Sequence, residues 1–140
     1  KSESPTKFTN ILAGANALST QVKTFDPEGI HLEDGRIVKG ACIFVEGKVF
    51  LWNVPQRWEG WKEEHFEVFK VTVPKPELLL FGTGKKTILP PGNVRAYLGK
   101  LGVTTEFMDS RNACATYNLL AEEGRRVAAA LLPSIPFQWK

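Results

Sequence analysis

The chain has 140 residues, enough to bury the core of one domain without disulfides or metals. Its 43% hydrophobic and 24% charged residues are typical of a globular protein and exclude a disordered one. The formal net charge of +3 is too small to indicate nucleic-acid binding by itself, and the longest apolar run, VAAALLP, is far too short to span a bilayer.

The cysteines and histidines give no sign of a redox or metal centre. Cys42 and Cys114 share no motif spacing, which indicates a reducing compartment and two structural thiols. Neither His31 nor His65 has a Cys or His neighbour at ligand spacing, so the sequence predicts no metal site. We expect no cofactor.

The N-terminal stretch is poor in acidic residues. Between Lys1 and Thr24 there is one, Glu3, against three lysines. Apolar residues recur there at helical spacing: Phe8, Ile11, Leu12, Ala15 and Leu18. We predict that residues 1–26 form an arm outside the domain, either the remnant of an organelle-targeting region or a flexible docking segment. Because the first residue is Lys rather than Met, we expect a processed or truncated chain.

The region after the arm reads as β-hairpins. Apolar and polar residues alternate around two glycine turns, Asp34-Gly35 and Glu46-Gly47-Lys48, where glycine tolerates the positive φ of a tight turn. The pattern predicts strands over 30–32, 37–45 with an interruption near Gly40, and 49–53.

Three tryptophans follow within ten positions: Trp52, Trp58 and Trp61. They are interleaved with charged residues, and a short helix is predicted near 62–69. We expect Trp52 to be buried at a strand end and at least one of Trp58 and Trp61 to lie on the surface, where it would anchor a partner protein. The alternative is that both cap the bottom of the core.

The second half changes its period. Strands are predicted over 77–82, 103–108 and 126–133, separated by a helix over 92–102 and a helix over 110–124. Asp109 or Ser110 is the expected cap of the second helix, and Gly124 its end. This βαβαβ order favours parallel strands with helices packed on them. We predict a single α/β domain over 27–133, with N-terminal β-hairpins joined to the βαβαβ unit and a C-terminal tail over 134–140.

Polar and charged residues follow two of these strands. The loop FGTGKKT matches neither standard phosphate-loop pattern. Even so, strand ends of this kind lie at one edge of a sheet, where open α/β sheets bind ligands. The candidate anion or ligand site comprises Thr83, Lys85, Lys86, Asp109, Ser110 and Arg111. The competing interpretation is a tight turn with solvated lysines and a helix cap.

Cys114 is a candidate nucleophile, because thiolates are stabilised near a helix N-terminus. It has no His or Asn partner that the sequence identifies, and it borders the apolar face of the predicted helix, so a packed thiol is favoured. The chain shows no Ser/His/Asp order, no paired-carboxylate signature and no metal spacing. We therefore predict a protein without catalytic activity.

Several motifs resemble the family of mitochondrial NADH dehydrogenase (complex I) assembly factor 3 and its short prokaryotic relatives of unknown function. The resemblance covers about residues 30–133. The motifs are PELLLFGTG at 76–84, LGVTTEFMD at 101–109, NACATYN at 112–118 and EEGRRVAAAL at 122–131. None of them is a catalytic signature.

The resemblance implies a central mixed sheet, in which one strand runs antiparallel, and no established enzymatic activity. It implies a role in complex I assembly in mitochondria, on the matrix side and at most peripheral to the inner membrane. The implied partners are complex I assembly factor 4 and peripheral-arm subunits. Two alternatives stay open: a structural subunit of a larger particle such as the mitoribosome, which would bring nucleic acid as a partner, and a small-molecule or anion-binding domain or enzyme that uses loops 82–87 and 109–111.

Overall fold

Two β-sheets and three helices make up the part of the chain that the computed structural model describes, residues 18–19, 22–45, 48–55, 57–71 and 75–133. The strands are β1 (Leu18–Ser19), β2 (Val22–Asp26), β3 (Gly29–Leu32), β4 (Ile37–Val38), β5 (Cys42–Val45), β6 (Lys48–Leu51), β7 (Leu78–Gly82), β8 (Thr104–Met108) and β9 (Val127–Leu131). The helices are α1 (Val68–Val71), α2 (Gly92–Gly99) and α3 (Ser110–Glu122), and two 3-10 turns cover Trp58–Gly60 and Glu63–Phe66.

The larger sheet has six strands in the order β1-β6-β5-β9-β7-β8. β7 runs parallel to both β8 and β9, whereas β5 runs antiparallel to β9 and to β6. The mixed sheet that the family resemblance implied is therefore confirmed. β9 lies between β5 and β7 with all five residues buried, which explains its continuous apolar run.

Both faces of the larger sheet are covered, because successive side chains of a strand point to opposite faces. Leu79 and Phe81 belong to an apolar cluster that includes α2 and the tryptophans. Leu80 belongs to a second cluster, which includes α3 and the strands β2, β3 and β4. The sheet is thus the middle layer of three, with an aromatic layer and α2 on one side and α3 with the smaller sheet on the other.

The smaller sheet changes the predicted domain boundary. β2 pairs antiparallel with β3, and Val22 and Phe25 are buried. The predicted arm over 1–26 therefore ends too late, since its last five residues belong to the domain. A register irregularity between Val22 and Thr24 explains how two residues three apart both reach the core, a spacing that strict alternation does not produce.

The rest of the predicted arm lies almost wholly outside the described residues. Leu18, one of the residues at helical spacing, pairs with Val49 in β1, so it is in a strand rather than a helix. The tail over 134–140 and the turn at 46–47 also lie outside the described residues.

The interruption near Gly40 is confirmed, and it has a topological cause. β4 pairs with β3 in the smaller sheet, whereas β5 pairs with β6 and β9 in the larger one. The chain passes from one sheet to the other at residues 39–41. The Asp34-Gly35 turn is also confirmed, because Gly35 has a φ of 95° and the strands on both sides of it pair antiparallel.

The predicted helices differ from the observed ones mainly in detail. In place of one helix near 62–69, the chain forms the 3-10 turn Glu63–Phe66 followed by the single turn of α1. α2 ends at Gly99, before Gly102, which has a positive φ of 73°. α3 begins and ends as predicted, with Asp109 as its cap and Gly124 at a φ of 80° after it.

Among the described residues no helix is long and apolar enough to span a membrane.

Candidate functional site

The loops after β7 and β8 lie side by side, as the parallel pairing of these strands requires. The Thr83 backbone N–H donates to the Met108 carbonyl at 2.8 Å, and the Ser110 N–H donates to the Gly84 carbonyl at 2.8 Å. The six candidate residues therefore do come from neighbouring loops, and their side chains divide into an inward and an outward group.

Ser110 belongs to the inward group. Its side chain is fully buried; the Oγ donates to the Leu132 carbonyl at 2.7 Å and accepts from the Gly84 N–H at 2.9 Å. One hydroxyl thus links the segments that follow β7, β8 and β9. Gly82 permits this close approach, because a Cβ at that position would lie 2.8 Å from the Ser110 Oγ. The Ser110 proton is committed to a backbone carbonyl, so its role here is structural.

Thr83 is also buried and holds its own loop. Its Oγ1 accepts from the Ile88 N–H at 3.0 Å and lies 2.6 Å from the Lys86 carbonyl, to which it donates. These bonds close the turn over 83–88 and use both functions of the hydroxyl.

Asp109 caps α3. One carboxylate oxygen accepts from the Asn112 backbone N–H at 2.9 Å, and the other accepts from the Asn112 side-chain amide at 2.6 Å. This is the geometry of an N-cap, which satisfies an amide that has no partner within the helix. Both oxygens are engaged without any ligand.

Lys85, Lys86 and Arg111 form the outward group. All three are exposed, and within the described part of the chain none of them forms an ion pair. The edge therefore presents three cations to solvent. The hydroxyls of Thr83 and Ser110 and the carboxylate of Asp109 instead form hydrogen bonds with groups of their own chain. Anion binding at this edge stays a prediction, and it would rest on the cations alone.

The two cysteines are packed in the cluster on the α3 side of the sheet. Burial raises the pKa of the Cys114 thiol to about 12, and the negative charge of Asp109 acts in the same direction. Burial also raises the pKa of Cys42 well above its usual value. Because the thiolate is the nucleophile, both side chains are unreactive at neutral pH and act as small core residues.

The prediction that Trp58 or Trp61 is exposed is wrong. Their exposed fractions are 4% and 2%, and Trp52 is buried as predicted at 3%. The Trp61 Nε1 donates to the Pro55 carbonyl at 2.9 Å, and the Trp52 Nε1 donates to the His65 carbonyl at 3.0 Å.

The cause of this error is the 3-10 turn. It folds the indoles onto the face of the larger sheet and leaves the interleaved charged residues outside. The ring centroids of Trp58 and Trp61 lie 4.9 Å apart, and Trp61 lies 5.2 Å from Trp52 and 6.2 Å from Phe81. Trp58 and Trp61 therefore belong to the core, and the inference that they anchor a partner loses its basis.

An apolar groove lies elsewhere, where the chain crosses between the two sheets. It has a volume of about 620 Å³ and is lined among others by Ile37, Ala41, Leu51 and Trp52. Ile37 and Leu51 are 37% and 45% exposed, and Arg36 and Lys39 add two cations to the lining. We call this surface the intersheet groove. Sequence reasoning missed it because Ile37 and Leu51 read as ordinary strand residues.

Comparisons with known proteins place the chain in a family. Residues 22–132 match the family described as "Protein of unknown function (DUF498/DUF598)". The zebrafish protein named NADH dehydrogenase [ubiquinone] 1 alpha subcomplex assembly factor 3 is 32% identical over 124 residues, which are 89% of this chain and 70% of that protein. The human protein of the same name is 30% identical over 124 residues, 89% of this chain and 66% of its own length.

The fold has solved relatives as well. A crystal structure of a Bordetella parapertussis protein matches with a TM-score of 0.66 and 37% sequence identity, and the match covers 86% of this chain and 99% of the other. The start of the family match at residue 22 coincides with the start of β2, which supports the corrected domain boundary. The chain belongs to the DUF498/DUF598 family, together with the complex I assembly factor 3 proteins that it resembles.

Proposed function

We propose that this chain is a non-catalytic assembly factor for respiratory complex I that acts in mitochondria by binding other proteins. The observation that carries the proposal is the 30–32% identity, over 89% of the chain, to proteins named as assembly factors of NADH dehydrogenase. The geometry of the strand-end loops agrees with it, because Thr83, Asp109 and Ser110 are occupied by hydrogen bonds to their own chain. We place the protein on the matrix side, with complex I assembly factor 4 and peripheral-arm subunits as partners.

The surface that we propose for partner binding is the intersheet groove. Ile37 and Leu51 are two of the four large hydrophobic residues that the described surface exposes, and they share this groove. Arg36 is paired with Asp34, whereas Lys39 is exposed and forms no ion pair among the described residues. A partner segment with two apolar side chains and a flanking carboxylate complements this arrangement of apolar floor and cationic rim.

The proposed function is tested by deleting the gene and by affinity purification from mitochondria. We expect the deletion to deplete assembled complex I and to leave partial peripheral-arm intermediates. We expect the purified protein to carry complex I subunits or assembly factors in substoichiometric amounts. Normal complex I in the deletion strain contradicts the proposal, and stoichiometric recovery with the finished mitoribosome supports the structural-subunit alternative instead.

The groove is tested separately in the same purification. We expect Leu51→Ser combined with Ile37→Ser to weaken recovery of the partner while the variant still folds. Leu119→Ser is the matched control, because Leu119 is 57% exposed on α3 and does not line the groove. Equal recovery with the groove variant and the control would show that the partner binds another surface, which leaves the assembly role itself intact.

A further inference from the structure

The last described residues of the chain lie beside the intersheet groove. β5 runs antiparallel to both β6 and β9, so Cys42 lies opposite Leu51 on one side and opposite Leu131 on the other. Adjacent strands are about 4.8 Å apart, which places the end of β9 about 10 Å from the groove residue Leu51. Pro133 follows two positions after Leu131 and is buried. The segment that follows Pro133 therefore starts next to the groove.

The alternation of β9 shows which of its positions face the groove. Its odd-numbered residues belong to the apolar cluster that includes the smaller sheet, and its even-numbered residues belong to the cluster with the tryptophans. Leu32 and Val38, which line the groove, belong to the first of these clusters. An extended continuation of β9 would therefore direct its odd-numbered residues towards the groove.

The sequence after β9 keeps this alternation. In the tail over 134–140 the odd-numbered residues are Ile135, Phe137 and Trp139, and the even-numbered ones are polar, charged or proline. Proline restricts the residue before it to extended backbone, which favours an extended chain at Ile135. Seven residues at about 3.3 Å each span up to about 23 Å, more than twice the distance to the groove.

We propose that the tail over 134–140 occupies the intersheet groove of its own chain. The groove has a volume of about 620 Å³, and Ile37 and Leu51 on its surface are 37% and 45% exposed. The three large apolar side chains of the tail cover these two residues, and the burial of apolar surface stabilises the contact. The covalent link to β9 helps as well, because it holds the tail at an effective concentration in the millimolar range.

The N-terminal segment is the competing occupant, and it fits the groove less well. Leu18 pairs antiparallel with Val49, so the segment before Leu18 also leads towards Leu51. Continued pairing would place Asn16, which stands between two alanines, opposite Leu51. The nearest large apolar residue, Leu12, is four positions further away. The tail therefore brings more apolar surface to the groove than this segment does.

Docking of the tail regulates the groove, and this part of the proposal rests on the proposed function. Lys39 at the groove is exposed and forms no ion pair among the described residues, and the tail contains no acidic residue. A partner that brings a carboxylate together with apolar side chains gains an ion pair that the tail does not offer. The tail therefore keeps the groove covered until such a partner displaces it.

Disulfide trapping in the full chain tests the docking without any partner. Leu51→Cys is combined with Phe137→Cys, and the dilute protein is incubated with oxidised glutathione. The native thiols of Cys42 and Cys114 do not compete, because burial raises the pKa of both. We expect an intramolecular disulfide, identified by mass spectrometry of the linked peptides, because cysteines with Cα atoms within about 7 Å can be joined.

The matched control pairs Phe137→Cys with Leu119→Cys, since Leu119 is 57% exposed on α3 and is not among the described residues that line the groove. We expect the groove pair to form at least about fivefold more intramolecular disulfide than the control pair. NMR provides a second measurement with a milder change. Trp139→Ala should shift the methyl resonances of Ile37, because the ring current of the indole is lost, whereas Gln138→Ala should not.

Four results overturn the docking. They are equal trapping in the two cysteine pairs, disulfides that form only between chains, stronger trapping of Leu51→Cys with Leu12→Cys, and unchanged Ile37 methyl resonances in Trp139→Ala. The second result would assign the groove to a second copy of the chain, and the third would assign it to the N-terminal segment.

The regulatory part is tested in the purification from mitochondria. Phe137→Ser combined with Trp139→Ser should raise the recovery of complex I subunits or assembly factors about threefold or more, because it frees the groove. Leu51→Ser combined with Ile37→Ser should lower that recovery, so the two double variants act in opposite directions. Unchanged recovery with the tail variant would overturn the regulation. Recovery of no complex I protein would overturn the proposed function and not the docking, which the trapping measures independently.

Discussion

The aromatic face of the larger sheet, which carries Trp52, Trp58 and Trp61, is buried, whereas the intersheet groove is exposed. In both regions the exposure differs from what the neighbouring residues in the sequence suggest. Trp58 and Trp61 stand among charged residues and yet are buried, whereas Ile37 and Leu51 stand next to the buried residues Val38 and Trp52 and yet are exposed. Local composition therefore predicts neither the burial of the tryptophans nor the exposure of the groove residues. What decides exposure is whether another layer covers the strand: the 3-10 turn packs the tryptophans against the larger sheet, whereas Ile37 and Leu51 lie uncovered at the crossing between the two sheets.

The largest expected effect comes from truncating the aromatic face. Trp61→Ala removes a side chain that is 2% exposed and contacts Trp52, Trp58 and Phe81. We expect the free energy of unfolding to fall by about 3–5 kcal/mol, because truncating a buried indole removes its packing contacts and leaves a cavity. Urea denaturation followed by circular dichroism measures this. Leu89→Ala, at a residue that is 62% exposed, is the control. A loss no larger than that of the control would indicate that Trp61 is exposed, which contradicts the burial of the aromatic face.

The next effect concerns the link between the strand ends. Ser110→Ala leaves the Leu132 carbonyl and the Gly84 N–H without their side-chain partner in a buried position. We expect a loss of about 1–3 kcal/mol in the free energy of unfolding, measured by the same denaturation. Unchanged stability would mean that the hydroxyl is free for a ligand, which would favour the anion-binding alternative.

Removing the cap of α3 should have a smaller effect. Asp109→Ala leaves the Asn112 amide without an acceptor, so we expect a loss of about 1 kcal/mol. Asp109→Asn retains an acceptor oxygen and should recover most of this. Thermal unfolding of the two variants side by side measures this difference, and an equal loss in both variants would contradict the capping role.

Acidification should weaken the packing of His65 against the aromatic face. Burial lowers the pKa of His65 below its usual 6.5, while its ring packs against Trp61 at 6.0 Å between centroids. The unfolded chain therefore takes up a proton at higher pH than the folded one does. Stability from this group is present above 6.5 and decreases as the pH falls from there to the folded-state pKa.

Tryptophan fluorescence during urea titrations at neutral and mildly acidic pH detects this change. His65→Gln serves as the control, because it removes the titrating group. The decrease between the two pH values should be smaller in this variant. An equal decrease in both proteins would assign the pH dependence to other groups.

The smallest effect on stability is expected in the intersheet groove. Leu51→Ser changes a residue that is 45% exposed, so we expect the free energy of unfolding to change by no more than about 0.5 kcal/mol. The same variant combined with Ile37→Ser should weaken partner recovery, as described above. A large loss of stability from Leu51→Ser alone would show that the groove is a poorly filled part of the core.

The sequence predicted the second half of the fold well, since β7, β8, β9 and α3 all lie close to their expected ranges. These elements are defined by local signals: apolar periodicity, an N-cap at Asp109 and a C-terminal glycine at 124. The same signals were weaker at the N-terminus, where a register irregularity in β2 disrupts the alternation of buried residues. The arm boundary was therefore placed inside a strand.

For the candidate site, the sequence predicted the juxtaposition of the loops but not the use of their side chains. Parallel neighbours bring Thr83 and Ser110 to one sheet edge, and this follows from strand order. That Ser110 donates to Leu132 depends on β9 being the other neighbour of β7. No pattern in the sequence predicts the pairing of β9 with β7.

By itself, then, the sequence determined the α/β class and most element bounds and limited the cap of α3 to Asp109 or Ser110, because each depends on residues within one or two turns of each other. The tertiary structure alone decided which strands share a sheet, that all three tryptophans are buried, and that Ile37 and Leu51 lie on one exposed groove. These outcomes depend on contacts between residues far apart in the chain. The stabilising free energy of these contacts comes from the packing of one layer on another, and no local sequence pattern predicts which layer will cover which strand.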